Sequence, residues 1–225
     1  MTTSRCGLQA VLPGLGLAAL AGLGPAASAQ AGEAYGAVGL PGLLAGYSQA
    51  IDQRLALRAD YATLGTHGKD GDREGINYRG KLKLSRVGLF ADYFPGGNGF
   101  RLTGGLTVND MSLKLRSNMP AGSTINVGGT AYVTNGSEYL NADVKIPKVT
   151  PYIGIGWGHH SRTPGWGFVA DLGASIGRAR LDVDTNLAAH GVSQADIDRE
   201  IDDLRDDVAK VRVVPQFSLG ASYRF

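Results

Sequence analysis

The chain ends in the stretch Val213-Val214-Pro215-Gln216-Phe217-Ser218-Leu219-Gly220-Ala221-Ser222-Tyr223-Arg224-Phe225, in which two kinds of side chain alternate. The odd-numbered positions are apolar, and the even-numbered positions from Gln216 onward are polar or small. Successive side chains of a strand point to opposite faces, so the pattern predicts a strand with one apolar face. In a water-soluble protein this strand would leave an apolar edge at the chain end. As the closing strand of an outer-membrane β-barrel it would turn its apolar face to lipid and its polar face to the lumen.

The composition allows a barrel and argues against a nucleic-acid-binding protein and a helical membrane protein. The 225-residue chain has a formal net charge of +2, so nucleic acid is not an expected partner. A hydrophobic content of 43% is low for a helical membrane protein, whereas half of each barrel strand faces a polar lumen. The 34 glycines suit a narrow barrel in which strands curve and crowd.

Residues 1–29 have the three parts of a secretory signal peptide. Arg5 supplies a positive charge, an apolar stretch begins at Cys6, and Ala27-Ser28-Ala29 forms a small-x-small cleavage site. We therefore expect export through the Sec pathway and a mature domain of residues 30–225. The single cysteine would be removed with the signal, leaving neither disulfide nor thiol chemistry. Two prolines and several glycines argue against the alternative, a membrane-anchoring helix.

Eight segments of the mature chain alternate as strands do, at about 34–40, 43–49, 54–63, 76–94, 100–115, 139–158, 166–184 and 211–225. An even number of strands places both termini on the periplasmic side. The connections then alternate between short periplasmic turns and long outer loops, the turns at 50–53, 95–99 and 159–165 and the loops at 64–75, 116–138 and 185–210. The alternation slips by one residue near Arg86 and again near Gly177, and a β-bulge would produce such a slip.

One helix and one small hairpin are predicted inside the long outer loops. The helix begins at the capping-box sequence Ser193-Gln194-Ala195-Asp196 and extends to about residue 210. Its apolar residues fall at helical spacing, so we expect this stripe to pack on the loops or on the barrel rim. Its acidic residues form a solvated face or hold divalent cations that bridge lipopolysaccharide phosphates. The hairpin is expected near residues 124–133.

The predicted fold is all-β: an eight-stranded antiparallel up-and-down transmembrane β-barrel with one short loop helix. Aromatic side chains beside the short turns predict a girdle at one membrane boundary, formed by Tyr93, Phe100, Trp157, Trp166 and Phe168. The alternative is a soluble antiparallel sandwich in which these aromatic residues would lie in the core.

The lumen of the predicted barrel is expected to be closed by polar side chains. Eight strands enclose an interior just wide enough for side chains to fill, and buried charges are tolerated only when they are paired. The predicted lumen network consists of Arg54, Arg58, Asp60, Arg79, Lys81, Lys83, Arg101, Asp171 and Arg224. A gap in this network would instead leave a conductive pathway.

The chain resembles small proteobacterial outer-membrane barrels of the size class of OmpW and the OmpA membrane domain, and more closely an uncharacterised family of outer-membrane proteins. The matching stretches are Leu55–Tyr61, Lys81–Leu84, Gly88–Tyr93, Gly99–Leu106, Pro151–Gly158 and the terminal Ser218–Phe225. The resemblance implies a place in the outer membrane of a Gram-negative cell envelope, but no known activity. It also implies an assembly signal that the barrel-assembly machinery reads, formed by Phe217, Leu219, Tyr223 and Phe225. Other expected partners are outer-membrane lipid, lipopolysaccharide and, during biogenesis, periplasmic chaperones. The expected state is a monomer.

One motif suggests catalysis. His159 and Ser161 resemble the His-x-Ser arrangement of outer-membrane lipid A deacylases. The motif lies in a short periplasmic turn, away from the outer leaflet, and no neighbouring acid in the sequence is placed to orient the histidine. We therefore expect no catalytic residues, no cofactor and no metal site. The predicted role is structural or in surface interaction, with a narrow porin-like channel for small or hydrophobic solutes as the alternative and a lipid A-modifying hydrolase as the second alternative.

Overall fold

The structure is a computed structural model that describes residues 32–73, 76–160 and 163–225. These residues form strands β1 (Gly32–Leu40), β2 (Gly42–Ala50), β3 (Leu55–Arg73), β4 (Ile76–Tyr93), β5 (Phe100–Asn118), β6 (Thr124–Val127), β7 (Thr130–Val133), β8 (Tyr139–Lys145), β9 (Val149–Trp157), β10 (Gly165–Ile176), β11 (Arg180–Thr185) and β12 (Val213–Arg224). They also form a 3₁₀ helix (Leu187–His190) and the helix α1 (Gln194–Ala209). The predicted signal peptide lies outside the described residues.

Eight of these strands close into an antiparallel ring. Its order is β1, β2, β3, β4, β5, β9, β10 and β12, and β12 pairs with β1 to close it. The terminal strand is bonded to β10 from Gly165↔Arg224 to Ile176↔Val213, and to β1 from Glu33↔Arg224 to Leu40↔Phe217. The predicted fold class and the predicted role of the terminal stretch as the closing strand are therefore confirmed.

The two ends of the ring differ, as the sequence predicts. One end, the turn end, carries three short turns and both termini of the ring. The other, the loop end, carries the long connections. The prediction of a loop over 64–75 is wrong, because β3 and β4 continue as a paired hairpin with one register shift between Thr63 and Gly65. Polar residues favour water, but they do not prevent two strands from pairing their backbones with each other.

The alternation of apolar and polar residues slips near Arg86 because the outer face of β4 changes from apolar to polar there, and not because β4 contains a bulge. The pairing of β4 with β5 is continuous over its whole length. On the turn-end side of Arg86, outward-facing residues are apolar, and Val87 is 47% exposed. On the loop-end side, the outward-facing Lys83 forms an ion pair with Asp110, while Leu84 turns to the inner face. The outer surface thus changes from apolar to charged at this level of the barrel.

The slip near Gly177 has a different origin. β10 ends at Ile176. Gly177 and Ala179 still donate their N–H groups to Arg212 and Val211, the second of these bonds being offset by one residue from the β10–β12 register. β11 then begins at Arg180 and pairs with β8. β8 in turn pairs with the loop-end half of β5. The predicted strands 139–158 and 166–184 are therefore each divided into a ring strand and a loop-end strand.

The loop-end connections form a small folded unit, here called the loop-end cap, which comprises β6, β7, β8, β11, the 3₁₀ helix and α1. Its buried core contains Met119, Ile125, Val127, Leu187, Val192 and Ile197. The predicted helix and hairpin are both present, but the Ser193 side chain makes no capping hydrogen bond; its backbone carbonyl accepts instead from the N–H groups of Asp196 and Ile197. No helix among the described residues is long and apolar enough to span a membrane.

Ile197→Ala tests whether the loop-end cap unfolds separately from the ring. Ile197 is 3% exposed in the core of the cap, so truncation should cost about 2–5 kcal/mol of local stability. Hydrogen exchange should become faster for the amides of α1 and β6 and remain unchanged for β12. Ile153→Ala, which alters an exposed residue of the ring, is the control. Equal acceleration in cap and ring would show that they form one cooperative unit.

Candidate functional site

The interior of the ring holds an ion-pair network of balanced charge. Its members come from β3, β4, β5 and β10: Arg58, Asp60, Arg86, Asp92, Arg101 and Asp171. Three guanidinium groups face three carboxylates, so their formal charges sum to zero. Removing charges from water is costly, and close pairing with additional hydrogen bonds offsets this cost.

Arg58 connects opposite walls of the barrel. It lies on β3 and is 4% exposed, and its Nη2 donates to Asp171 Oδ1 on β10 at 3.1 Å. In the ring order β10 stands four strands from β3, so this bond crosses the lumen. Nε donates to Asp92 Oδ2 at 2.9 Å and Nη1 to the Tyr35 hydroxyl at 3.2 Å. The guanidinium also stacks on Phe90, 4.6 Å from the ring centroid.

Arg101 makes the second connection to β10. Its side chain is fully buried, and its Nη1 and Nη2 each donate to a different oxygen of Asp171 at 3.0 Å. This two-point geometry is the strongest form of an arginine–carboxylate pair. Thr103 donates to Asp92 Oδ1 at 2.6 Å and accepts from Arg101 at 3.1 Å. A Cβ at Gly156 would lie 2.6 Å from Arg101 Cζ, so a residue without a side chain leaves the space for the guanidinium.

A cluster of neutral polar side chains adjoins the ion-pair network inside the ring. The hydroxyl of Thr107 lies 2.7 Å from that of Thr150 and 3.0 Å from that of Ser175. Gln216 Nε2 donates to Ser175 at 2.7 Å, and Asn109 Nδ2 donates to Thr150 at 2.8 Å. All five side chains are buried. Hydroxyl and amide groups therefore continue the filling of the lumen without adding charge.

Little space is left beside these groups. The cavity bounded by Arg58, Arg86 and Tyr152 measures about 10 Å³. A single water molecule needs a space of about 10–15 Å³. The lumen at this level is therefore occupied by side chains.

At the turn end, Glu33 joins His159 and Arg224. Its Oε1 lies 3.0 Å from His159 Nδ1, and its Oε2 accepts from Arg224 Nη2 at 3.1 Å. The imidazole is 4% exposed and meets the Tyr35 ring edge-on at 4.6 Å. Burial lowers the pKa of His159 below its ordinary value of 6.5, and the opposing hydrogen bond to Glu33 does not restore it. His159 also has a left-handed backbone with φ of 62°.

The structure places the predicted lumen residues in two environments. Five lie in the interior: Arg58, Asp60, Arg101, Asp171 and Arg224. The other four lie outside the lumen, contrary to the prediction: Arg54, Arg79, Lys81 and Lys83. Arg54 belongs to the exposed turn before β3. The other three lie on the loop-end part of β4, where the outer face is polar; the Arg79 side chain is 76% exposed beside Asp70.

Sequence reasoning missed several members of the interior, among them Glu33, Tyr35, Arg86 and Asp92. Arg86 and Asp92 alternate with the apolar positions 87–93, so the same pattern that identified the outer face also identifies them. Glu33 precedes the predicted start of the first strand, and nothing local in the sequence indicates its partner 126 residues later.

The aromatic and terminal residues named from the sequence lie on the outer face of the ring. The predicted girdle residues Tyr93, Phe100, Trp157, Trp166 and Phe168 are between 37% and 80% exposed and lie near the turn end. The predicted assembly-signal residues Phe217, Leu219, Tyr223 and Phe225 are between 39% and 63% exposed. Tyr223 also meets Trp166 edge-on, with centroids 5.3 Å apart.

The surroundings of His159 differ in one respect from the sequence-based expectation. An acid does orient His159, because Glu33 reaches it from β1. The imidazole is nevertheless buried in the turn-end cluster, and Ser161 lies outside the described residues. No group of three or more potential metal ligands occurs within 32–73, 76–160 and 163–225. On the acidic face of α1, for which a solvated surface or bound divalent cations were predicted, Asp202 pairs with Arg205 at 3.4 Å.

These features define a class: small eight-stranded β-barrels whose interior is filled by paired polar side chains. The chain is similar in fold to two crystal structures from Acinetobacter baumannii. CarO2 matches with a TM-score of 0.60 and 19% identity over 87% of this chain and 98% of that chain. CarO matches with a TM-score of 0.57 and 17% identity over 86% of this chain and 97% of that chain. No family model and no curated protein sequence matches the chain.

Arg101→Ala should strongly destabilise the barrel. It leaves Asp171 and Asp92 buried with less compensation, and breaking a buried pair costs about 3–5 kcal/mol. Urea unfolding of the refolded barrel, followed by tryptophan fluorescence, measures the change. The control Arg116→Ala removes a guanidinium that is 48% exposed and should change stability by less than about 0.5 kcal/mol. Similar losses for the two variants would contradict the assigned role of the network.

His159 should make the barrel less stable in acid. Its folded-state pKa lies below that of the unfolded chain, so the unfolded state binds the proton more readily. This contribution to stability is complete above pH 6.5 and is lost as the pH falls below that value. Urea unfolding at a series of pH values should show this loss, and His159→Asn should reduce its slope. Asparagine tolerates the left-handed backbone but does not titrate. An unchanged slope would show that other groups cause the acid sensitivity.

Proposed function

We propose that the chain is an integral outer-membrane barrel protein with a structural or surface-interaction role. The observation that carries this proposal is a continuous band of exposed apolar side chains, here called the apolar belt. Every ring strand contributes a residue between 51% and 68% exposed: Val38, Leu43, Leu57, Leu89, Leu106, Ile153, Leu172 and Leu219. A contiguous apolar surface of this extent is unfavourable in water and favourable in a bilayer.

The proposal includes the orientation of the barrel, its export and assembly, and its oligomeric state. The short turns face the periplasm and the loop-end cap faces the outside, following the usual asymmetry of such barrels. The protein is exported through the Sec pathway, assembled from its terminal aromatic signal with periplasmic chaperones, and surrounded by lipid and lipopolysaccharide as a monomer. Its size class is that of OmpW and the OmpA membrane domain. The filled lumen favours a structural or interaction role over catalysis or transport.

Membrane fractionation and gel mobility test the proposal. The protein should sediment with outer membranes, resist extraction at high salt and migrate faster in detergent gels before heating than after it. Leu89→Asp and Leu106→Asp place charges in the apolar belt and should reduce the folded, fast-migrating fraction, because a charge on the lipid face is costly. Lys114→Asp at the charged loop-end surface is the matched control. A soluble periplasmic product would refute the proposal.

A narrow channel is the second candidate, and one observation favours it. Among the described residues, Arg86 Nε, Arg101 Nε and Gln216 Oε1 are buried without a hydrogen-bond partner. Unsatisfied polar atoms in the lumen are places where water or a small solute gains hydrogen bonds.

Conductance in planar bilayers distinguishes the two candidates. The wild-type barrel should show no discrete openings, because side chains fill its lumen. The paired variant Arg101→Ser/Asp171→Ser removes one positive and one negative charge together and enlarges the lumen without changing its net charge. It should therefore conduct while remaining heat-modifiable. Discrete openings of the wild type would favour the channel.

A further inference from the structure

The loop-end cap contains a cavity that the barrel itself does not require. It measures about 300 Å³ and lies between the β6–β7 hairpin, β8 and α1. Its wall is mostly apolar and includes Met119, Ile125, Val127, Leu140, Ile201 and Leu204. None of these residues belongs to the ion-pair network, so the cavity is separate from the filled lumen.

The helix α1 forms one wall of this cavity with a single face. Ile197, Ile201 and Leu204 recur at helical spacing and all line the cavity. Ile197 is 3% exposed, whereas Ile201 and Leu204 are only partly buried. The sequence predicted that this stripe packs on the loops or the rim. The stripe does contact the loop elements, and part of it borders open space.

The size and lining of the cavity indicate its ligand. The cavity is open to solvent on one side, and an apolar molecule seated against its aliphatic wall removes that apolar surface from water. A volume of about 300 Å³ is at the lower end of the range for small-molecule sites, and it is too small for a helix or a protein loop. A small molecule with an apolar body fits both properties.

The charge near the cavity disfavours anions. The helix α1, Gln194–Ala209, carries seven carboxylates and two guanidinium groups, which gives it a formal charge of −5. One of these carboxylates, on Glu200, lines the cavity and accepts the Gly128 N–H at 3.1 Å. An apolar molecule with its own negative charge would meet this field on entry.

We propose that the cavity of the loop-end cap binds a small, uncharged apolar molecule, such as a single aromatic system or a short hydrocarbon. This goes beyond the structural role proposed above, which needs no ligand. The cavity is formed by the described residues of one chain and lies at the loop end, which the proposed orientation exposes to the outside.

Methyl NMR of the refolded barrel in detergent micelles tests this site with indole as the probe. Indole also enters micelles, so methyl groups of the apolar belt, such as those of Leu89 and Ile153, report nonspecific partitioning in the same sample. We expect saturable shifts of the Ile125, Val127 and Leu204 methyl groups, against linear drift of the belt methyl groups. Indole-3-acetate, with the same ring and a carboxylate, should bind at least about fivefold more weakly.

Two filling variants and one matched control make the test specific. Leu204→Trp and Leu140→Phe fill the cavity from different elements, and each should weaken indole binding by about tenfold or more. Asp203→Trp adds the same ring as Leu204→Trp at an exposed position of α1 and should leave affinity within about twofold. Gel mobility and the methyl spectrum show whether ring and cap remain folded.

The proposal is overturned if wild-type cap and belt methyl groups respond alike, or if indole binding survives both filling variants. It is also overturned if indole-3-acetate binds as tightly as indole, because the acidic helix then has no influence on the ligand. None of these outcomes depends on where the barrel resides in the cell, so a failure here leaves the proposed function intact.

Discussion

The electrostatic balance inside the ring is the constraint on which the rest of the structure depends. Asp171 on β10 accepts from Arg58 on β3 and from Arg101 on β5, so one carboxylate ties together three walls of the barrel. A buried charge without a partner costs several kcal/mol, which makes each member necessary once the others are present. The space for these large side chains comes from residues such as Gly156, where any Cβ would collide with a guanidinium.

The same strands serve two different environments along their length. In the belt region, apolar residues face outward and polar residues fill the lumen. Toward the loop end, Lys83 and Asp110 face outward and Leu84 faces inward, which is the arrangement of a sheet in water. Just beyond the loop end of β5, Met119 enters the buried core of the loop-end cap, which the helix α1 and the β6–β7 hairpin complete.

Features that depend on local alternation of side chains were predictable from the sequence. Features that depend on a change of surroundings along a strand, from lipid to water, were not. The eight ring strands, the closure by β12 and the helix α1 were all predictable from periodicity. The prediction that Lys81 and Lys83 lie in the lumen was wrong. Polar side chains face inward only along the apolar belt, whereas the outer face of β4 is itself polar toward the loop end. The pairing of Glu33 with His159 was not predictable, since it joins distant turn-end positions without any sequence pattern. Arg86 and Asp92 were predictable from the alternation and were overlooked.

The distribution of the ion-pair network along the chain determines which strands are needed before the network is neutral. Strands β1 to β5 contain three of its arginines and two of its aspartates, and the third aspartate, Asp171, arrives only with β10. Within this network, strands β1 to β5 alone hold one positive charge in excess until β10, the seventh strand in the ring order, supplies Asp171. β10 also pairs with β12 along its whole length, so the strand that neutralises the network is the strand against which the closing strand lies.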